Sequence, residues 1–238
     1  MDANEFFITK CAEIEREILE IQSDKPNVKP ISDGIVNADN YLSAKYKILW
    51  ILKESNDLDD NHEGGGWSLT NAINGLNRWE EQPRTGRITF QRIIYSTFGL
   101  LNDFVLWKDM PHIRDKEVFD CIKKLAYINI KKIPGFATSN PKEIEQAYLT
   151  NKDLLIRQID LYDPDIIIAG NTLQYFFTDL PIPFENKKSN GKTAYYPSQN
   201  RLYIHSYHPS VRGNMINEED YCNDIIRAGK DWVDNYRK

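Results

Sequence analysis

The chain has 238 residues, 41% hydrophobic and 12% aromatic, with 30 Lys and Arg against 35 Asp and Glu for a formal charge of −5. That apolar content excludes an intrinsically disordered chain and supplies a real core. The mild acidity excludes a global positive field, so any nucleic-acid contact must come from a local patch.

The amino terminus carries acids throughout and lacks the basic start and apolar run of a signal peptide. No segment reaches the roughly 18 apolar residues of a membrane span, so a soluble cytoplasmic protein is expected. Phe7, Cys11, Ile14, Ile18 and Ile21 recur at steps of four and three, which predicts an amphipathic helix over about 3–22 packed on a sheet. Residues 45–52, KYKILWIL, read as a strand covered on both faces. A polar loop follows, KESNDLDDNHEGGGW, whose three glycines let the backbone turn sharply or approach a ligand.

Helical patterns are predicted over 68–81, 89–101 and 116–125. AYINI then reads as a second strand, 141–161 as a longer helix, DIIIAG as a third strand, RLYIHSYHPS as a fourth strand running into a turn, and 217–237 as a closing helix. Strands separated by helices predict a three-layer α/β/α fold around a central four-stranded parallel sheet, one domain over 1–238. Cys11, Cys121 and Cys222 are spaced by about a hundred residues, which fits neither a disulfide framework nor paired metal ligands. Reduced core thiols are expected, with no metal and no cofactor.

In open α/β sheets, ligands bind beyond the carboxyl ends of the strands. There the sequence puts Lys53, Glu54, Ser55, Asn56 and Asp57 after the first strand, Asn129 near the end of the second, and His205 to Ser210 after the fourth. Two carboxylates, an amide carrying both donor and acceptor, and a histidine beside a proline suit recognition and cleavage of a polar heterocycle. Each also has a plainer reading: loop acids, an amide satisfying nearby backbone, a surface histidine, and Trp67 as core.

The motif order resembles the uracil-DNA glycosylase superfamily over roughly residues 45–215. SYHPSVRGN is similar to that family's His-Pro-Ser motif, YINIKKIPG to its strand bearing the base-reading Asn, and DPDIIIAGNT to the following strand with its Gly turn. GGGWSL resembles the segment carrying an aromatic shelf for the flipped base. The first motif departs: LKESND has neither the usual Gly nor Pro, and Ser55 stands where the best-known branch has its water-activating Asp.

The resemblance implies a uracil-DNA glycosylase-like fold that binds a flipped uracil or other altered base and hydrolyses its N-glycosidic bond. Catalysis would fall to Glu54 or Asp57 with His208, and base binding to Ser55, Asn56, Trp67 and Asn129. DNA contact would fall to Ser210 with Val211 or Arg212, and Lys131, Lys132, Lys187 and Lys188 would extend a basic rim. The expected partner of this monomer is DNA carrying an altered base. The alternatives are a non-catalytic nucleic-acid or nucleobase-binding module of the same fold, and an enzyme acting on free nucleotides.

Overall fold

The computed structural model describes residues 2–238. It opens with α1 (Ala3–Leu19), started by a capping box in which the Asp2 carboxylate accepts from the Glu5 N–H. Then come β1 (Gly34–Ile35), α2 (Ala38–Leu42), β2 (Ile48–Leu52), α3 (Leu69–Asn74), α4 (Arg87–Leu101), α5 (Lys116–Phe119) and β3 (Leu125–Asn129). The chain continues through α6 (Pro141–Tyr162), β4 (Ile166–Gly170), β5 (Lys188–Asn190), β6 (Thr193–Pro197), β7 (Leu202–Ser206) and α7 (Glu218–Asn235).

These strands form one seven-stranded sheet in the order β1-β3-β2-β4-β7-β6-β5. The four inner strands β3, β2, β4 and β7 are mutually parallel, while β1, β6 and β5 join antiparallel. The expected four-stranded sheet is therefore the centre of a larger mixed one. The missed strands lack the apolar run that marks a buried strand: β1 has two residues, and β5 is a polar edge, KSN, with no buried residue. β5 and β6 close a hairpin through Gly191 and Lys192, with Gly191 in the left-handed region at φ +49.

Every residue of β2, β3 and β4 is buried, because helices cover both faces. Trp50, Tyr127, Ile168 and Ile204 face α4 and α7; Ile51, Ile128, Ile167 and Tyr203 face α6. Outside α6, the α1 residues Ile14 and Ile18 pack on Leu154. The predicted helix 68–81 ends early at Gly75, and a separate turn of 3-10 helix spans Trp79–Glu81. Among the described residues no helix is long and apolar enough to cross a membrane.

From β2 the chain moves to β3 on one side and then crosses to β4 on the other. The strand order thus reverses at β2 and β4, and the crevice of an open α/β sheet lies beyond their carboxyl ends. Beside that crevice sits an ion pair with no solvent exposure on either side chain: Lys132 Nζ donates to both oxygens of Asp33, at 2.7 and 2.8 Å, and to Gln158 Oε1 at 2.9 Å. Lys132 is therefore a core residue and no part of a basic rim. Burial pulls its ammonium below the usual lysine range, and the Asp33 charge opposes that shift.

Removing one partner of such a pair strands the other charge in the core. Lys132→Met is expected to lower the urea unfolding free energy by about 3–5 kcal/mol, with Asp33→Asn on top recovering part of the loss. A Lys132→Met protein as stable as the parent would mean the pair holds nothing together.

Candidate functional site

Asn129 ends β3 opposite Leu52, the last residue of β2. Its backbone N–H donates to Asp33 Oδ2 at 2.8 Å, and its side-chain Nδ2 donates to Ser55 Oγ at 3.1 Å. Asn129 is 5% exposed, and among the described residues its Oδ1 has no protein partner. The amide is thus held by its neighbours while keeping an acceptor and one further N–H, the pair of groups that reads a heterocycle edge.

The loop after β2 runs along residues 131–136: Lys131 N–H donates to Lys53 O, Gly135 N–H to Ser55 O, and Asp57 N–H to Gly135 O. This pairing sends the side chains of the first motif in three directions. Ser55 meets Asn129. Glu54 packs on Gly135, where an added Cβ would lie 2.8 Å from Oε1, and lines a cleft of about 460 Å³ with Lys131, Phe136 and Glu143. Burial raises the Glu54 carboxyl above its ordinary range, opposed by the Ser139 hydroxyl and the charges of Lys131 and Lys53. Its Oε2 is buried and has no hydrogen-bond partner among the described residues. Asn56 is exposed and pairs through its backbone with Gly135.

Asp57 turns into the glycine loop, where Oδ2 accepts from Gly65 N–H at 2.9 Å and from the Trp67 indole N–H at 2.7 Å. Gly65 lies at φ +78, and a Cβ there would fall 1.8 Å from Lys29 O, so only glycine fits. The carboxylate therefore fixes the indole of Trp67, which packs half-buried on the core facing α4 and α7.

His208 stands on the loop between β7 and α7. Its Nδ1 accepts from Ser210 N–H at 3.2 Å and lies 2.7 Å from Ser210 Oγ. A nitrogen that accepts a backbone N–H carries no proton, so the neutral ring is protonated on Nε2. Burial, with the charge of Lys53, lowers its pKa from 6.5 to about 4. The loop presses on Gly170: a Cβ there would meet Leu52 Cδ2 at 2.4 Å and Pro209 Cδ at 3.0 Å. Absence of a side chain at Gly170 is what brings the His208 loop to the end of β2.

Further along, Ser210 and Arg212 are exposed, and Val211 packs partly on the core. Of the lysines expected at a basic rim, Lys131 pairs with Glu143 and Lys188 with Asp231. The three cysteines are unpaired, and burial pushes Cys121 up to about 11 and Cys222 to about 12. Among the described residues no group of three or more His, Cys, Asp or Glu is arranged to hold a metal ion.

Two buried residues that shape the site were missed from sequence: Asp33, which holds the Asn129 backbone, and Arg92 of α4, which donates to Pro209 O and Val211 O. The signal for Arg92 was a lone charge inside the apolar run FQRIIYSTF. No protein-family model matches the chain, and no curated protein matches its sequence.

The lowered pKa of His208 has a definite sign. The unfolded ring takes up a proton below about pH 6.5 while the folded ring resists until about pH 4. Its neutral state thus leaves stability untouched above pH 6.5 and withdraws up to about 3 kcal/mol as pH falls to 4. His208→Asn is therefore expected to gain on the parent as pH drops from 7 to 4.5, by urea unfolding; parallel pH curves would contradict the half-buried neutral ring.

Proposed function

We propose that the chain is a uracil-DNA glycosylase-like enzyme that binds an uracil or other altered base flipped from DNA and hydrolyses its N-glycosidic bond. The observation that carries this reading is His208, a neutral imidazole whose Nδ1 is occupied by the Ser210 N–H, leaving Nε2–H as a donor at the strand-end rim. As the glycosidic bond breaks, its electron pair moves onto the base and charge gathers on a ring carbonyl. A donor already aimed at that oxygen contributes on the order of 3 kcal/mol.

Asn129 supplies the complementary edge, with Oδ1 accepting from a ring N–H and its remaining Nδ2 hydrogen donating to a carbonyl. Cytosine would leave one of these groups buried and unpaired, which is how such a site discriminates. Trp67, clamped by Asp57, offers a flat apolar surface for stacking. Ser210, Arg212 and the adjacent backbone meet phosphate, and unstacking the base costs a few kcal/mol that these contacts offset. Glu54 takes the proton of the water that attacks the sugar carbon, its raised pKa making it a stronger base once ionised.

A second reading rests on the same first motif. The Asp57 Oδ2 is committed to two donors, and the Glu54 side chain packs on Gly135 towards a different cleft. Both facts favour a module that holds the base without cleaving it.

Oligonucleotides carrying uracil, hypoxanthine, xanthine or a mismatch separate the two. Base release by the parent that falls about 100-fold in His208→Ala and is lost in Asn129→Ala fits the enzyme. Tight, base-dependent binding with no release, indifferent to Glu54→Gln, fits the module; neither binding nor release from any substrate sinks both.

A further inference from the structure

Several carbonyl groups of the segment joining β7 to α7 accept hydrogen bonds from side chains of other elements. Tyr207 O accepts from the Tyr221 hydroxyl at 3.0 Å and Met215 O from Lys192 Nζ at 2.6 Å. The centre of the segment belongs to Arg92, 2% exposed and seated over the Tyr221 ring at 5.1 Å. Its Nη1 donates to Pro209 O at 3.1 Å and to Val211 O at 2.8 Å, its Nη2 reaches Ile216 O at 3.5 Å, and Glu218 lies 3.7 Å from Nη2.

Pro209 O and the Ser210 N–H belong to one peptide unit. That unit is planar and trans, so its C=O and N–H point in opposite directions. Drawing the carbonyl inward to Arg92 turns the N–H outward, and its partner there is His208 Nδ1. The second bond, to Val211 O, fixes the next peptide but one and prevents the loop from swivelling about Ser210. A lysine could not reproduce this, because a single ammonium on a flexible stem lacks the rigid fork that spans several carbonyls.

We infer that Arg92 is a positioning residue that selects the tautomer of His208: by holding Pro209 O it aims the Ser210 N–H at Nδ1 and leaves Nε2 as the protonated nitrogen. The catalytic meaning of that selection rests on the glycosylase reading, whereas its physical content does not. Without the clamp the 209–210 peptide is held only by the turn bond from Val211 N–H to His208 O, and Nδ1 keeps only the Ser210 hydroxyl, which can accept as well as donate, so the neutral ring populates both tautomers.

The test is the ring 15N pattern of the histidines in uniformly labelled protein at pH 7.5, with His208 assigned through His208→Asn. The parent is expected to give the widely split pair of a single Nε2–H tautomer. Arg92→Lys should narrow that splitting and Arg92→Met collapse it by at least half, while His62, His112 and His205 stay put. An unchanged His208 pattern in both variants with native circular dichroism, or an Nδ1–H tautomer in the parent, overturns the inference.

Should the variants fail to fold, the parent itself decides. A guanidinium held on three carbonyls rotates slowly and gives resolved Nη signals on cooling, whereas one averaged signal for Arg92 would refute the clamp. If the parent releases base, Arg92→Lys should lower kcat about 10-fold with little change in KM. No release from the parent removes the glycosylase reading and leaves the tautomer measurement standing.

Discussion

The Lys132–Asp33 ion pair is the constraint on which the strand-end architecture depends. Taking two charges out of water costs several kcal/mol per ion, and attraction recovers this only when the remaining donors and acceptors are satisfied. Here they are: Lys132 also reaches Gln158 of α6, while Asp33 also accepts from Gln158 Nε2 and from the Asn129 backbone N–H. Gln158 in turn donates to the Tyr162 hydroxyl. The segment before β1, the end of β3 and one face of α6 are therefore locked in a single polar network within an apolar layer. A polar network of this kind tolerates few alternative packings, since any shift that broke one bond would leave a charge or amide unpaired. The amide of Asn129 inherits its position from that network.

A second constraint is steric and acts on the opposite side of β2. Gly170 ends β4 where Leu52, Pro209 and the His208 backbone converge, and any side chain there would push the loop outward. The next residue, Asn171, takes φ 58 and donates its N–H to Ser206 O, while Thr172 Oγ1 donates to Ile51 O. The turn after β4 is thereby bonded to both neighbouring strands. Two dissimilar devices, a buried charge network and a missing Cβ, thus bring Asn129 and His208 to the same end of one sheet. Arg92 and Tyr221 complete the second device from beneath, through hydrogen bonds to the loop backbone.

What the sequence made legible follows from the range of each interaction. Buried parallel strands declare themselves by unbroken apolar runs, and α6 and α7 lie within a few residues of the helices expected over 141–161 and 217–237. β1 and β5 were silent because edge strands are short and polar, which is also how edges avoid mispairing. Long-range polar partners leave no local trace. Lys132 reads as a solvated rim lysine until Asp33, 99 residues away, is found beside it. The glycine run announced a tight loop, but nothing local paired Asp57 with the Trp67 indole.

The residues of the first motif bear on how binding would relate to chemistry under the proposed reading. Ser55 takes the place beside Asn129, and a hydroxyl orients water without being able to accept its proton near neutral pH. Asp57 is occupied in holding an indole, so a hydrolytic step depends on Glu54 alone. Glu54 works as a base only when ionised, and burial moves that condition towards higher pH. Burial lowers the His208 pKa to about 4 while it raises that of Glu54, so the lower edge of an active range would be set by the carboxyl and not by the imidazole. Asn129, Trp67 and His208 are positioned by Asp33, Asp57, Ser210 and Arg92, and among the described residues none of these hydrogen-bonds the Glu54 carboxylate. Under the proposed reading, base recognition and bond cleavage would rest on separate supports in this fold, and the first could persist without the second.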